Sequence, residues 1–122
     1  MRSRRAFTLI ELLVVLVIIG ILATIASMRY WRTRERAHVA TMQSDLRTLV
    51  TAEESFKGDS LRYTTDLSQL PMLRTSVGVT IVVDNVTSRD WHARATHTST
   101  SVACEVTGPE GSSPGAGIPV CQ

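Results

Sequence analysis

Glu11 is the one ionisable side chain within residues 7–28, a run of 22 whose other members more polar than glycine are Thr8, Thr24 and Ser27. A carboxylate inside a membrane-spanning run is costly unless its stay is temporary or it finds a partner. The remaining residues able to do chemistry are sparse. Cys104 and Cys121 form one even pair with no CxxC and no metal-type spacing, which favours a disulfide outside the cytoplasm over the alternative of two unrelated buried thiols. His38, His92 and His97 are scattered, and His92 and His97, five apart on an expected strand, face opposite sides. They read as solvated or locally bonded rather than as metal ligands. Cys104, His97 and Asp90 contain the types for a nucleophile, base and orienting acid, but a cysteine with a disulfide mate is a poor nucleophile. Asp59, Asp66, Asp84 and Asp90 fall in expected loops without a run of ligands, and nothing resembles a phosphate-binding loop. No enzyme, metal site or cofactor is expected.

The elements that position these residues start with charge and hydropathy. The chain has 122 residues, enough for one modest domain, and a formal charge of +2. Arg2, Arg4 and Arg5 account for that excess: without these three, 13 basic side chains become 10 against 11 acidic. Residues 7–28 would make a helix about 33 Å long, matched to a hydrocarbon core of about 30 Å. That is too long for the apolar core of a cleaved secretory signal, roughly 7–15 residues. Arg29, Arg32, Arg34 and Arg36 follow at once, placed for stop-transfer or headgroup contact rather than for nucleic acid, so no nucleic-acid partner is expected. The compact basic group at 1–6 points to a cytoplasmic N-terminus and an external C-terminal domain.

Beyond the span the helix is expected to continue through 29–57. No Pro or Gly interrupts residues 28–56. Val39, Met42, Leu46, Leu49 and Phe56 recur at three- and four-residue steps, with Glu53 in the missing slot, and form one apolar stripe. Ala37, Ala40, Thr41, Ser44, Thr48, Thr51 and Ala52 are read as a second, small-residue face. Gly58 supplies the stop signal, and residues 7–56 in one helix would be about 75 Å long. Residues 58–122 read as a small sheet. A helical turn is expected around 66–70, capped by Thr65 or Asp66 and closed by Pro71. A β-branched strand at 77–83 is followed by a turn at 84–90 containing Asn85. Residues 91–97 alternate, with Trp91, Ala93 and Ala95 inward and His92, Arg94 and Thr96 outward. A third strand covers 102–106, and 108–119 is a Gly-, Pro- and Ser-rich loop that a Cys104–Cys121 bond would close.

RRAFTLIELLVVLVIIGILA, residues 4–23, resembles the N-terminus of a type IV pilin or type II secretion pseudopilin precursor. The likeness is specific over some 20 residues. The long helix, small antiparallel sheet and C-terminal cysteine pair extend it less specifically to the rest. It implies an α+β, ladle-shaped subunit, cleavage of the 1–6 leader between Ala6 and Phe7 by a prepilin peptidase, and N-methylation of Phe7. Glu11 then matches the family's assembly glutamate, and the new amine of Phe7 lies one helical turn before it. Paired between staggered chains, the two charges would lose their lipid penalty together. Two positions depart from the family pattern: Ala6 stands where Gly is usual before the cut, and Met28 where many members carry Pro. The second favours a minor or specialised subunit.

The implied function is a structural subunit of a type IV pilus-like filament, with a type II secretion pseudopilin as the alternative. A single-pass anchored protein with an extracytoplasmic binding domain is the alternative from another class. The implied partners are copies of itself or other pilins through the N-terminal helices, the peptidase, an inner-membrane assembly platform, and lipid before assembly. The implied location is the bacterial inner membrane and then the filament.

Overall fold

The computed structural model describes residues 7–122 apart from 110 and 112. Its first element is a 52-residue helix, α1, Leu9–Ser60. The packing divides the chain into two units, Met1–Arg34 and Glu35–Gln122.

In the first unit the described residues are exposed throughout, and this stretch of α1 is long and apolar enough to cross a membrane. Its helical serine and threonine hydroxyls are already satisfied within the helix. Thr24 Oγ1 donates to the Gly20 carbonyl at 2.8 Å, Ser27 Oγ to Thr24 at 3.0 Å, and Thr33 Oγ1 to Arg29 at 2.9 Å. A polar group bonded inside its own segment needs no water, the condition for a helix to sit in lipid.

In the second unit α1 buries Met42, Asp45, Leu46, Leu49, Val50, Ala52 and Glu53, and Val39 and Phe56 pack at the margin. The apolar stripe is where its spacing predicts, and Glu53 does fill the missing slot, at 0 % exposure. Ala52, expected on the small-residue face, lies in the core at 4 %, because position 52 sits next to the Leu49–Glu53 side of the stripe. The helix continues past Gly58 to Ser60. Leu61 adopts φ 59° and its N–H donates to the Lys57 carbonyl at 2.8 Å. Gly58 permits a stop without forcing one; the left-handed residue makes it.

A short 3-10 turn, Leu67–Gln69, is capped by Asp66, whose carboxylate accepts from Ser68 N–H at 3.0 Å. Four strands follow: β1, Val79–Asp84; β2, Trp91–His97; β3, Ala103–Gly108; and β4, Val120–Cys121. They form an antiparallel sheet in sequence order. β1 starts two residues later than expected and takes in Asp84, while β3 runs two residues further, to Gly108. β4 was hidden by the loop-like composition around it. On the inner face Val79, Ile81 and Val83, then Trp91, Ala93 and Ala95, then Cys104 and Val106 share one core with Met42, Leu46 and Leu49. The fold is thus α+β, with large side chains on the helix opposed by alanines in the second strand. Asp45 ties the connector to the helix: Ser76 donates its N–H to Oδ2 at 2.7 Å and its hydroxyl to Oδ1 at 2.9 Å.

Candidate functional site: the capped head of the apolar helix

Leu9 opens α1, so Thr8 is its N-cap residue. The Thr8 N–H and the Thr8 hydroxyl both donate to Glu11 Oε2, each at 2.9 Å. In return the Glu11 N–H donates to Thr8 Oγ1 at 3.3 Å. This is a reciprocal capping box, in which the side chains at N-cap and N3 satisfy each other's backbone donors. Sequence reasoning treated Glu11 as a charge awaiting a partner and missed this local one. The signal was present in TLIE, a Thr three residues before an acid at the start of an apolar run.

The box fixes where the carboxylate points. Glu11 lies in the first turn, where the helix dipole favours negative charge, and it folds back over Thr8 toward the chain's N-terminal side. Phe7 precedes the helix and is 79 % exposed. Since Oε2 is 2.9 Å from the Thr8 nitrogen, covalent geometry keeps the Phe7 nitrogen within about 6.5 Å of it. An amine at Phe7 would therefore lie in the carboxylate's near field within one chain. Ala6, on the other side of the expected cut, lies outside the described residues.

The second expected site is built. Cys104 and Cys121 are disulfide-bonded across the β3–β4 register. Around the bond Ala103 and Gln122 exchange N–H···O contacts of 3.1 and 3.0 Å, and Gly117 N–H donates to Thr107 at 2.7 Å. Cys104 is thereby committed and offers no thiolate.

The histidines separate as the strand period requires. His92 lies on the outer face, with Nδ1 2.6 Å from Asp84 Oδ1 and Nε2 3.7 Å from Glu105 Oε2, and Arg94 Nε also approaches Glu105 at 3.7 Å. His97 turns the other way and stacks on His38 with ring centroids 4.1 Å apart, a meeting that residues 59 positions apart gave no sign of. The other buried acid, Glu53, accepts from Thr64 N–H at 3.2 Å through Oε2, while Oε1 has no partner among the described residues. Burial pushes its pKa above the ordinary 4.5, with the Thr64 bond opposing.

Known proteins match this arrangement from its N-terminal end outward. Residues 1–27 fit the family model described as the prokaryotic N-terminal methylation motif. The chain is 42% identical over 59 residues to the type IV major pilin protein PilA of Myxococcus xanthus, covering 48% of this chain and 27% of that one. To type II secretion system core protein G of Klebsiella michiganensis it is 36% identical over 78 residues, 64% of this chain and 55% of the relative. It thus spans about a quarter and just over half of these two relatives. The match to the type IV wide pilus major component PilA4 of Thermus thermophilus is more extensive, 30% over 105 residues, 84% of this chain and 80% of the relative. A capped apolar helix, a small disulfide-closed sheet and likeness to that relative over most of both lengths establish that the chain belongs to the type IV pilin and type II secretion pseudopilin family.

Proposed function

We propose that this chain is a structural subunit of a type IV pilus-like filament, polymerised through its N-terminal helix. The observation that carries this reading is the exposed apolar stretch of α1 headed by the Thr8–Glu11 box. In water such a surface is untenable; in lipid, or in a bundle of like helices, it is the natural solution. Before assembly the subunit sits in the bacterial inner membrane with residues 1–6 in the cytoplasm. A prepilin peptidase then cuts between Ala6 and Phe7, Phe7 is N-methylated, and an inner-membrane platform feeds subunits into the filament. Glu11 is the assembly residue. Its carboxylate, held at the helix head, presents negative charge where the amine of a neighbouring subunit arrives.

Co-expression with a prepilin peptidase tests the processing: intact-mass measurement shows loss of residues 1–6 and gain of one methyl group. A chain that keeps its leader and never self-associates would end the filament reading and leave a single-pass anchor. Two variants then separate the roles of the box. Thr8→Ala removes the hydroxyl's two bonds, keeps the backbone bond and the carboxylate, and assembles; Glu11→Gln keeps an acceptor near Thr8 and removes the charge, and does not. Assembly by Glu11→Gln at the normal level would refute the charge role.

The second reading, a pseudopilin of a type II secretion machine, is favoured by the likeness to core protein G over 64% of this chain. Long surface fibres that vanish when the gene is deleted would decide for the pilus. Loss of protein export without loss of fibres would decide for the pseudopilus.

A further inference from the structure

Immediately past the apolar run, α1 carries Arg29, Tyr30, Trp31, Arg32 and Arg34, all exposed, with Tyr30 at 53% and Trp31 at 68%. The two rings meet edge to face at 6.1 Å, and the Arg34 guanidinium stands 4.9 Å from the Tyr30 ring centroid. At 100° per residue Arg29 and Arg32 share one side of the helix, while Tyr30, Trp31 and Arg34 occupy the other. No acidic residue occurs in 12–34, and among the described residues none of these three arginines is in an ion pair.

We propose that this girdle is a binding surface for anionic phospholipid headgroups, which holds the unassembled subunit at a fixed depth. It rests on the membrane reading of residues 7–28 given above and is separate from polymerisation. Length sets the depth. The helical stretch Leu9–Met28 covers about 30 Å, the hydrocarbon core. Residues 29–34 then cover about 9 Å, a little more than one headgroup layer of roughly 5–7.5 Å. Tyr and Trp favour that layer because an apolar ring with a polar edge suits a boundary. Three guanidiniums without acidic partners present forked donors to phosphodiester oxygens. The Arg34–Tyr30 contact holds one of them beside the ring rather than extended into water.

The test places the full chain in vesicles of phosphatidylcholine and phosphatidylglycerol in equal parts, with brominated chains on one lipid or the other. Bromine quenches indole at contact, so Trp31 reports the lipid at its side. Trp91, 1% exposed in the core, supplies a background measured with Trp31→Phe. Brominated phosphatidylglycerol is expected to quench with roughly fivefold preference, the size of one arginine's attraction to an anionic surface. The preference should disappear in R29Q/R32Q/R34Q, and at about 1 M salt, where screening acts within about 3 Å. Equal quenching by the two lipids would overturn the proposal while leaving the membrane reading intact. A preference that persists in the triple variant would also overturn it. Quenching by neither lipid would overturn both.

Discussion

The disulfide is the one covalent constraint on the described C-terminal segment, and its removal has a calculable cost. Cys104 and Cys121 are 17 positions apart. In the chain-entropy description, closing a loop of that size stabilises the folded state by about 3 kcal/mol. Little else holds β4: it has two residues, and its neighbourhood adds the Ala103–Gln122 exchange and the Gly117–Thr107 bond. The unit Glu35–Gln122 falls in the size class where 1 kcal/mol moves the melting temperature by about 4–8 °C. The variant C104S/C121S should therefore melt roughly 12–24 °C lower, a large part of a stability that is typically about 5–15 kcal/mol. Thermal unfolding of the full chain in detergent, followed by circular dichroism, reads this directly. Hydrogen exchange should show protection lost first at the amides of Ala103, Gly117 and Gln122. A shift below about 4 °C, less than 1 kcal/mol, would refute the reasoning and mean that the hydrogen bonds of β4 already close the segment.

Gly108→Ala should destabilise the sheet by about 1–3 kcal/mol, because a Cβ there would lie 2.2 Å from the Trp91 ring; denaturant titration checks it, with near-ultraviolet dichroism reporting the displaced indole. Asp45→Ala removes both bonds to Ser76 and leaves a peptide N–H in a half-buried site, at a cost of about 2–3 kcal/mol, read as a lower denaturation midpoint. Glu53 holds its proton more tightly folded than unfolded, so its contribution falls as pH rises from its ordinary 4.5 through the higher folded value. Glu53→Gln should abolish that downward slope when stability is measured against pH. Asp66 acts with the opposite sign: Ser68 and Gln69 hold its pKa below 3.8, so its contribution is present above that pH and is lost as pH falls through the folded value. Asp66→Ala should remove the acid-side loss.

The sequence makes the helix and the apolar stripe legible for a physical reason. Met42, Leu46 and Leu49 recur with the helical period, and all are fully buried. The alternation in WHARATH likewise places Trp91, Ala93 and Ala95 inside. Composition misled where a local rule permits more than one outcome. Gly58 allows a helix to end, yet the end is set by the left-handed Leu61. The Gly- and Pro-rich tail reads as loop, yet pairing with β3 draws Val120 and Cys121 into the sheet. Partnerships that form only after folding, such as His38 on His97 or Asp45 on Ser76, join residues 59 and 31 positions apart and leave no local pattern.

On the assembly role proposed for Glu11, the capping box changes what its charge can contribute. An acid alone in lipid would gain hydrogen bonds only by finding a neighbour, so the unassembled subunit would be strongly destabilised. Here Oε2 already accepts two bonds from Thr8, so the monomer is hydrogen-bonded before any partner arrives. In the proposed filament a neighbouring amine then contributes charge compensation without first having to rescue the acid's hydrogen bonding. That arrangement suits a subunit that, as proposed above, waits in the membrane. Its resting state is not forced into indiscriminate association, while the charge, uncompensated until the leader is cut, still biases it toward a partner of opposite sign. The cap also fixes the carboxylate's direction before the encounter, so less side-chain freedom is lost on pairing. Thr8 then orients Glu11 without being required for its charge, so the spacing of TLIE serves the helix terminus and, in the proposed filament, the assembly contact.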